Sequence, residues 1–162
     1  MKKFELTTEF ITNMFGKKLF RIKALVEFGN VKAGELGGYV EKEENVSQDG
    51  NAWVSGDARV SGNAEVSGNA WVSGNARVSG NARVSGDADY ALVQGFGTEF
   101  RCTTFYRGKN KKIMVNCGCF HGDLEGFRKQ VKETRNGKIA KEYLMIADLM
   151  EYHFTSEDSS DE

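Results

Sequence analysis

The chain has 162 residues, 40 % of them hydrophobic and 28 % charged, with a formal net charge of −1. Those proportions belong to a globular protein with a modest core, and they exclude a wholly disordered or low-complexity chain. No stretch approaches the roughly 18 to 20 apolar residues of a membrane span, and with 19 glycines and no proline, glycine carries the turns.

Three cysteines, an odd number, occur in the chain, and no apolar signal segment follows Lys2 and Lys3. The expectation is a reduced, cytoplasmic setting with no membrane association. Phe4 to Phe15 alternates as a strand does, Gly16-Lys17-Lys18 reads as a turn, and Leu19 to Leu25 returns with the same alternation. Residues 1–35 are therefore predicted to form a hairpin cap. It would protect the open end of whatever follows, because an uncovered β edge templates aggregation.

From Asn51 to Ala88 the pattern Asn/Asp-Ala-x-Val-Ser-Gly repeats with almost no drift. Val54, Val60, Val66, Val72, Val78 and Val84 lie six apart, and the alanines from Ala52 to Ala88 keep the same step. A short fixed period marks a solenoid. Period six fits one flat side of a triangular left-handed parallel β-helix, whose coil is eighteen residues. Val and Ala fill the inward places, and Ser-Gly-Asn/Asp makes each corner, where Gly and Asn tolerate a left-handed backbone. Hexads run from Val40 to Tyr90 with a two-residue insertion between Val46 and Val54, which makes about three coils over residues 36–94.

Residues eighteen apart fall on top of one another, about 4.8 Å apart. The outward ladders are then Trp53 with Trp71, Arg59 with Arg77, and Glu65 with Arg83. The first is expected as an exposed aromatic stack, the second as a like-charge pair that favours an anion between its members, the third as an exposed ion pair. Aromatic and arginine side chains concentrate at binding hot spots. A covering by the terminal segments or by a second copy of the chain is the plainer reading of the same ladders.

Past Tyr90 the repeat decays at Gly95-Phe96-Gly97. Residues 95–155 read as a ββαα unit, with strands over Phe100 to Tyr106 and Lys112 to Cys117. One helix is capped by Asp123 with Leu124, Phe127 and Val131 on its apolar stripe, and a second runs from about Ile139 to Phe154. Residues 101–141 carry a local charge of +8 and residues 142–162 a charge of −7. The basic stretch makes Arg107, Lys109, Lys111, Lys112, Arg128 and Lys132 candidate contacts to an anionic partner, together with Trp53, Trp71, Arg59, Arg77 and Arg83. The composition of residues 156–162 favours a disordered acidic tail. Cys117, Cys119 and His121, with Cys102 across the hairpin near Asn116, form a weak zinc candidate set; the Cys-x-Cys spacing is unlike the usual two-to-four-residue gap. Buried reduced thiols are the commoner outcome. No cofactor is expected.

The segments Leu36-Gly37-Gly38-Tyr39-Val40-Glu41 and Asn45 to Val54, with the hexads after them, resemble the hexapeptide-repeat proteins, and among those a phage- and prophage-associated kind. Val115 to Gly122 (Val-x-Cys-Gly-Cys-Phe-x-Gly) is similar to a stretch in small phage-associated domains with no established activity. Hexapeptide-repeat acyltransferases use a histidine on or beside the coil, and the only histidines here, His121 and His153, lie outside it. The resemblance therefore implies a non-enzymatic, oligomeric binding protein in a host cytoplasm, most concretely an inhibitor of a bacterial antiviral defence complex. Nucleic-acid or nucleotide sequestration, a virion or assembly role, and acyl transfer are the alternatives.

Overall fold

The computed structural model describes residues 2–13, 15–86, 89–98, 101–108, 111–117 and 120–155. The acidic tail, Lys109 and Cys119 therefore lie outside the described residues. The protein is mainly β: an N-terminal hairpin sheet, short parallel rungs of a solenoid, and a C-terminal sheet followed by two helices.

In the solenoid, two-residue strands alternate with Ser-Gly-Asn corners. Strand β3 (Leu36–Val40) pairs in parallel with β5 (Arg59–Val60), which pairs with β8 (Arg77–Val78). On the second side β4 (Trp53–Val54) pairs with β7 (Trp71–Val72), and on the third β6 (Glu65–Val66) pairs with β9 (Arg83–Val84). The registers Trp53↔Trp71, Arg59↔Arg77 and Glu65↔Arg83 are the ladders expected from the period of eighteen. Every repeat Ala and Val from Ala52 to Val84 is buried. The corner glycines from Gly50 to Gly80 hold φ between 62° and 70°, the left-handed region that a side chain would strain.

The hairpin of β1 (Phe4–Thr12) and β2 (Lys18–Ala24) is present as predicted. It caps the coil by adding antiparallel strands to the free edge of β3, which gives a five-stranded sheet in the order β1-β2-β3-β5-β8. Its Phe4, together with Phe28 and Val31 from the loop after β2, closes the end of the first coil. Gly37 and Gly38 are required there by space. A Cβ on Gly37 would lie 2.5 Å from the Val54 carbonyl oxygen, and one on Gly38 would lie 2.6 Å from that of Ala58. The insertion between Val46 and Val54 has a use as well. Gln48 Oε1 accepts from the Lys3 and Phe4 amides (2.7 and 3.2 Å), so the extra residues tie β1 to the coil.

The C-terminal unit departs from expectation. It contains four strands before its helices: β10 (Tyr90–Phe96), β11 (Arg101–Arg107), β12 (Ile113–Cys117) and β13 (Phe120–Asp123), in sheet order β10-β11-β12-β13. Tyr90 stands at the next hexad position, yet its strand leaves the coil and pairs with β11. Helix α1 (Leu124–Thr134) begins at the predicted cap, where Asp123 Oδ1 accepts from the Gly126 amide at 2.8 Å. Helix α2 runs Gly137–Thr155. One face of the sheet, carrying Phe105 and Val115, packs on Phe127, Val131, Tyr143 and Ala147 of the helices. The other face, carrying Tyr106, Met114 and Leu92, closes the last coil and joins the solenoid core.

Candidate functional site

The C-terminal sheet docks on the free edge of β8 through specific bonds. The Arg77 amide donates to Thr104 Oγ1 (2.9 Å), and Asn116 Nδ2 donates to the Arg77 carbonyl (2.8 Å) and to Ser79 Oγ (3.1 Å). His121 Nε2 and Tyr106 Oη are 3.0 Å apart, and the His121 ring lies so close to the coil that a Cβ on Gly80 would sit 3.3 Å from it. On the opposite side the hairpin tip rises beside the same coil face. Asn13 Oδ1 accepts from the amides of Phe15 (2.9 Å) and Lys17 (3.0 Å), which orders the turn that presents Phe15.

Between these two walls lies a groove of about 490 Å³, with Arg59 and Arg77 on its floor and Phe15, Asn116, Phe120 and His121 along its sides. Arg59 is half-buried, and burial followed by the neighbouring Arg77 charge pushes its guanidinium below the ordinary value. Among the described residues no carboxylate makes an ion pair with either arginine. Two like charges at a rung spacing near 5 Å repel by about 1 kcal/mol in water and about 3 kcal/mol in a partly desolvated site. An anion between them reverses the sign. That is the chemistry the groove offers.

Residues 58–74 and 76–88 match the YdcK β-solenoid repeat. The coil carries a YdcK-type β-solenoid repeat. The match spans the rungs bearing both Arg59 and Arg77 and stops short of the hairpin and the C-terminal sheet. No curated protein matches the chain.

The other sequence candidates are placed elsewhere. Trp53 is in register with Trp71, but the exposed stack expected of them is not formed, because Trp53 is 0 % exposed. The rings of Phe4 (6.2 Å) and Phe28 (5.3 Å) meet it edge-on, so Trp53 is a core residue under the N-terminal cap. Trp71 is half-buried beside Tyr90 and Leu92, and its Nε1 donates to Ser55 Oγ at 2.7 Å. Arg83 pairs with Glu65 at 3.7 Å on another side of the coil.

Within the basic stretch, Arg107 bonds Asp89 (3.0 Å) and Lys112 bonds Asp123 (3.0 Å). Arg128 contacts Glu125, Asp148 (2.9 Å) and Glu151 (2.7 Å). Two of its partners come from the acidic C-terminal run, so charge segregated along the sequence is neutralised where α1 meets α2. Lys111 and Lys132 are exposed and line no part of the groove.

The cysteine–histidine set does not converge. Asn116 pairs with Thr104 and Cys117 with Thr103, so Cys102 does not lie opposite Asn116 as expected. Cys117 faces the helices with Val115 and Phe105, whereas His121, bonded to Tyr106, faces the coil. The sheet itself separates them. Among the described residues no group of three His, Cys, Asp or Glu could hold a metal ion. Cys102 and Cys117 are free thiols, and burial pushes the Cys102 thiol up.

Phe15, Lys17, Asn116 and Phe120 were missed as site residues. A large aromatic inside a Gly-containing turn, as at Phe15-Gly16, is the one local signal that pointed to any of them.

Proposed function

We propose that the protein is a non-enzymatic binding protein whose rigid solenoid holds an anionic ligand in the groove over Arg59 and Arg77. The observation that carries this reading is the pair of arginines in register on adjacent rungs, one half-buried, neither in an ion pair among the described residues. Asp57 acts on Arg59 at longer range, and Glu41 also lines the groove. Rigid rungs fix the spacing of the two backbones, which keeps both arginines on one side of the coil.

Catalysis is the weaker reading. His121 has been folded against the coil, but its ring bonds Tyr106, and among the described residues no carboxylate orients it as a general base. The phage-type resemblance supplies a setting for the proposal: a small protein that withholds a ligand from, or blocks, a host antiviral complex, acting as an oligomer or as a single copy. Among the described residues no helix is long and apolar enough to cross a membrane.

The test is calorimetric titration with inorganic triphosphate at low salt. Saturable binding by the native protein is expected, with loss in the Arg59→Gln/Arg77→Gln variant and retention in Arg83→Gln, whose guanidinium lies outside the groove. Equal affinities in all three proteins would sink the proposal.

A further inference from the structure

The groove has a second chemistry beside its cations. Phe15 is 76 % exposed, the most exposed large hydrophobic side chain among the described residues, yet its amide and that of Lys17 donate to Asn13 Oδ1. Asn13 N–H donates to the Lys17 carbonyl and the Gly16 amide donates back to Asn13, so the tip is held at both ends. Across the groove stands β13, whose His121 faces the coil while the Phe120 ring packs on Phe127 of α1 at 5.8 Å. Leu19, buried, lies at the base of the hairpin wall. Arginines in register on adjacent rungs thus form one part of the site, and the exposed Phe15 ring on the hairpin wall forms another.

A ligand that satisfies both parts needs concentrated negative charge joined to a flat apolar ring. Inorganic phosphate would leave the Phe15 ring wet, and an aliphatic acid would leave it without a stacking partner. A long nucleic-acid strand needs a continuing track of cations. The next arginine on the coil, Arg83, lies on a different side and is paired with Glu65. A volume of about 490 Å³ is in the size class of small-molecule sites.

We infer that the groove takes a nucleotide, with its phosphates against Arg59 and Arg77 and its base stacked on Phe15. This rests on the anion-binding reading above and names the class of anion. Lys17, on the same hairpin as Phe15, also lines the groove and adds a third cation to it. Because stacking on a phenyl face is tolerant of base identity, the site discriminates nucleotides from free phosphates more strongly than one base from another.

The experiment is titration of the full chain with ATP, GTP, CTP and UTP, with inorganic triphosphate, with adenosine, and with a short single-stranded oligonucleotide. At least one nucleoside triphosphate is expected to bind at least about fivefold more tightly than inorganic triphosphate, the lower end of what one stacked base contributes. Phe15→Ala should remove that advantage and leave triphosphate binding unchanged. Its high exposure makes the variant safe for folding, which a thermal melt would verify. Equal binding of triphosphate and all four nucleotides would overturn the nucleotide assignment while leaving the anion site standing. Tighter binding of the oligonucleotide than of any mononucleotide would replace it with a nucleic-acid site. Absence of binding by every probe would overturn both this inference and the anion-binding proposal.

Discussion

Residues 51–56 and 69–74 are the same hexapeptide, Asn-Ala-Trp-Val-Ser-Gly, and they lie directly over one another in the coil. Their alanines and valines are equally buried, but their tryptophans are not. Trp53 is sealed under Phe4 and Phe28, and its indole Nε1 has no hydrogen-bond partner among the described residues. Trp71, one rung on, is half-buried and bonds Ser55. The hexad therefore dictates what its inward positions do. The fate of its outward position is set by chain that arrives from elsewhere, here β1 and the loop after β2.

The sharpest way to break this comparison is to truncate each tryptophan in turn. Trp53→Ala removes a fully buried side chain from the capped end and is expected to cost about 3–5 kcal/mol in denaturant unfolding. Trp71→Ala, at a half-exposed site, should cost less than half as much. Equal losses would mean that the cap adds nothing to the first coil.

A similar contrast separates two corners of identical sequence. Gly68 and Gly74 have nearly equal φ of 62° and 66°, so alanine at either adds the left-handed strain of about 1–2 kcal/mol. At Gly74 a Cβ meets open space. At Gly68 it would lie 2.5 Å from the Ser85 carbonyl oxygen, a backbone atom that cannot swing away. Gly68→Ala should therefore lower stability by at least about 1 kcal/mol more than Gly74→Ala, a clash of the size of core overpacking. Thermal melts of the two variants decide it.

A pH-dependent contrast concerns the buried lysine of the cap. Lys3 is 4 % exposed, donates from Nζ to the carbonyls of Ala52 (2.7 Å) and Gly50 (3.3 Å), and lies over the Phe28 ring. Burial pushes its pKa down to about 8 from 10.5, against a weaker opposing pull from Asp49. The unfolded chain then binds the proton more readily than the native one between those values, so the Lys3 contribution to stability increases as pH rises from about 8 to about 10.5. Unfolding free energies of the native protein and Lys3→Met across that range should diverge in the native protein's favour. A constant difference would show that Lys3 keeps its charge at no cost in the folded state.

Much of the coil was legible because its signal is local and repeated. The spacing of Val and Ala specifies the rungs, and eighteen-residue stacking specifies that Arg59 meets Arg77. The hairpin and the Asp123 cap were equally plain, each depending on a few neighbouring residues. Strand β10 was not, since Tyr90 occupies the position of the next inward valine and nothing near it announces that the chain will leave the coil. Its hydroxyl still bonds the Trp71 carbonyl at 2.5 Å, so this residue serves both the coil and the sheet that covers it. The +8 segment misled for a related reason. Charge counted along the chain ignores the carboxylates that tertiary folding brings from outside the segment to Arg107 and Arg128.

The sequence by itself determined the solenoid, its register and the stacking of like charges, because all three follow from a period that each hexad restates. Only the tertiary structure decided which outward side chains remain available. Phe15, Arg77 and His121 come from a hairpin, a rung and a sheet far apart in sequence, and they meet only because the two caps must cover opposite ends of one short coil. Closing those ends buried Trp53, and it left Arg59 and Arg77 facing a walled groove.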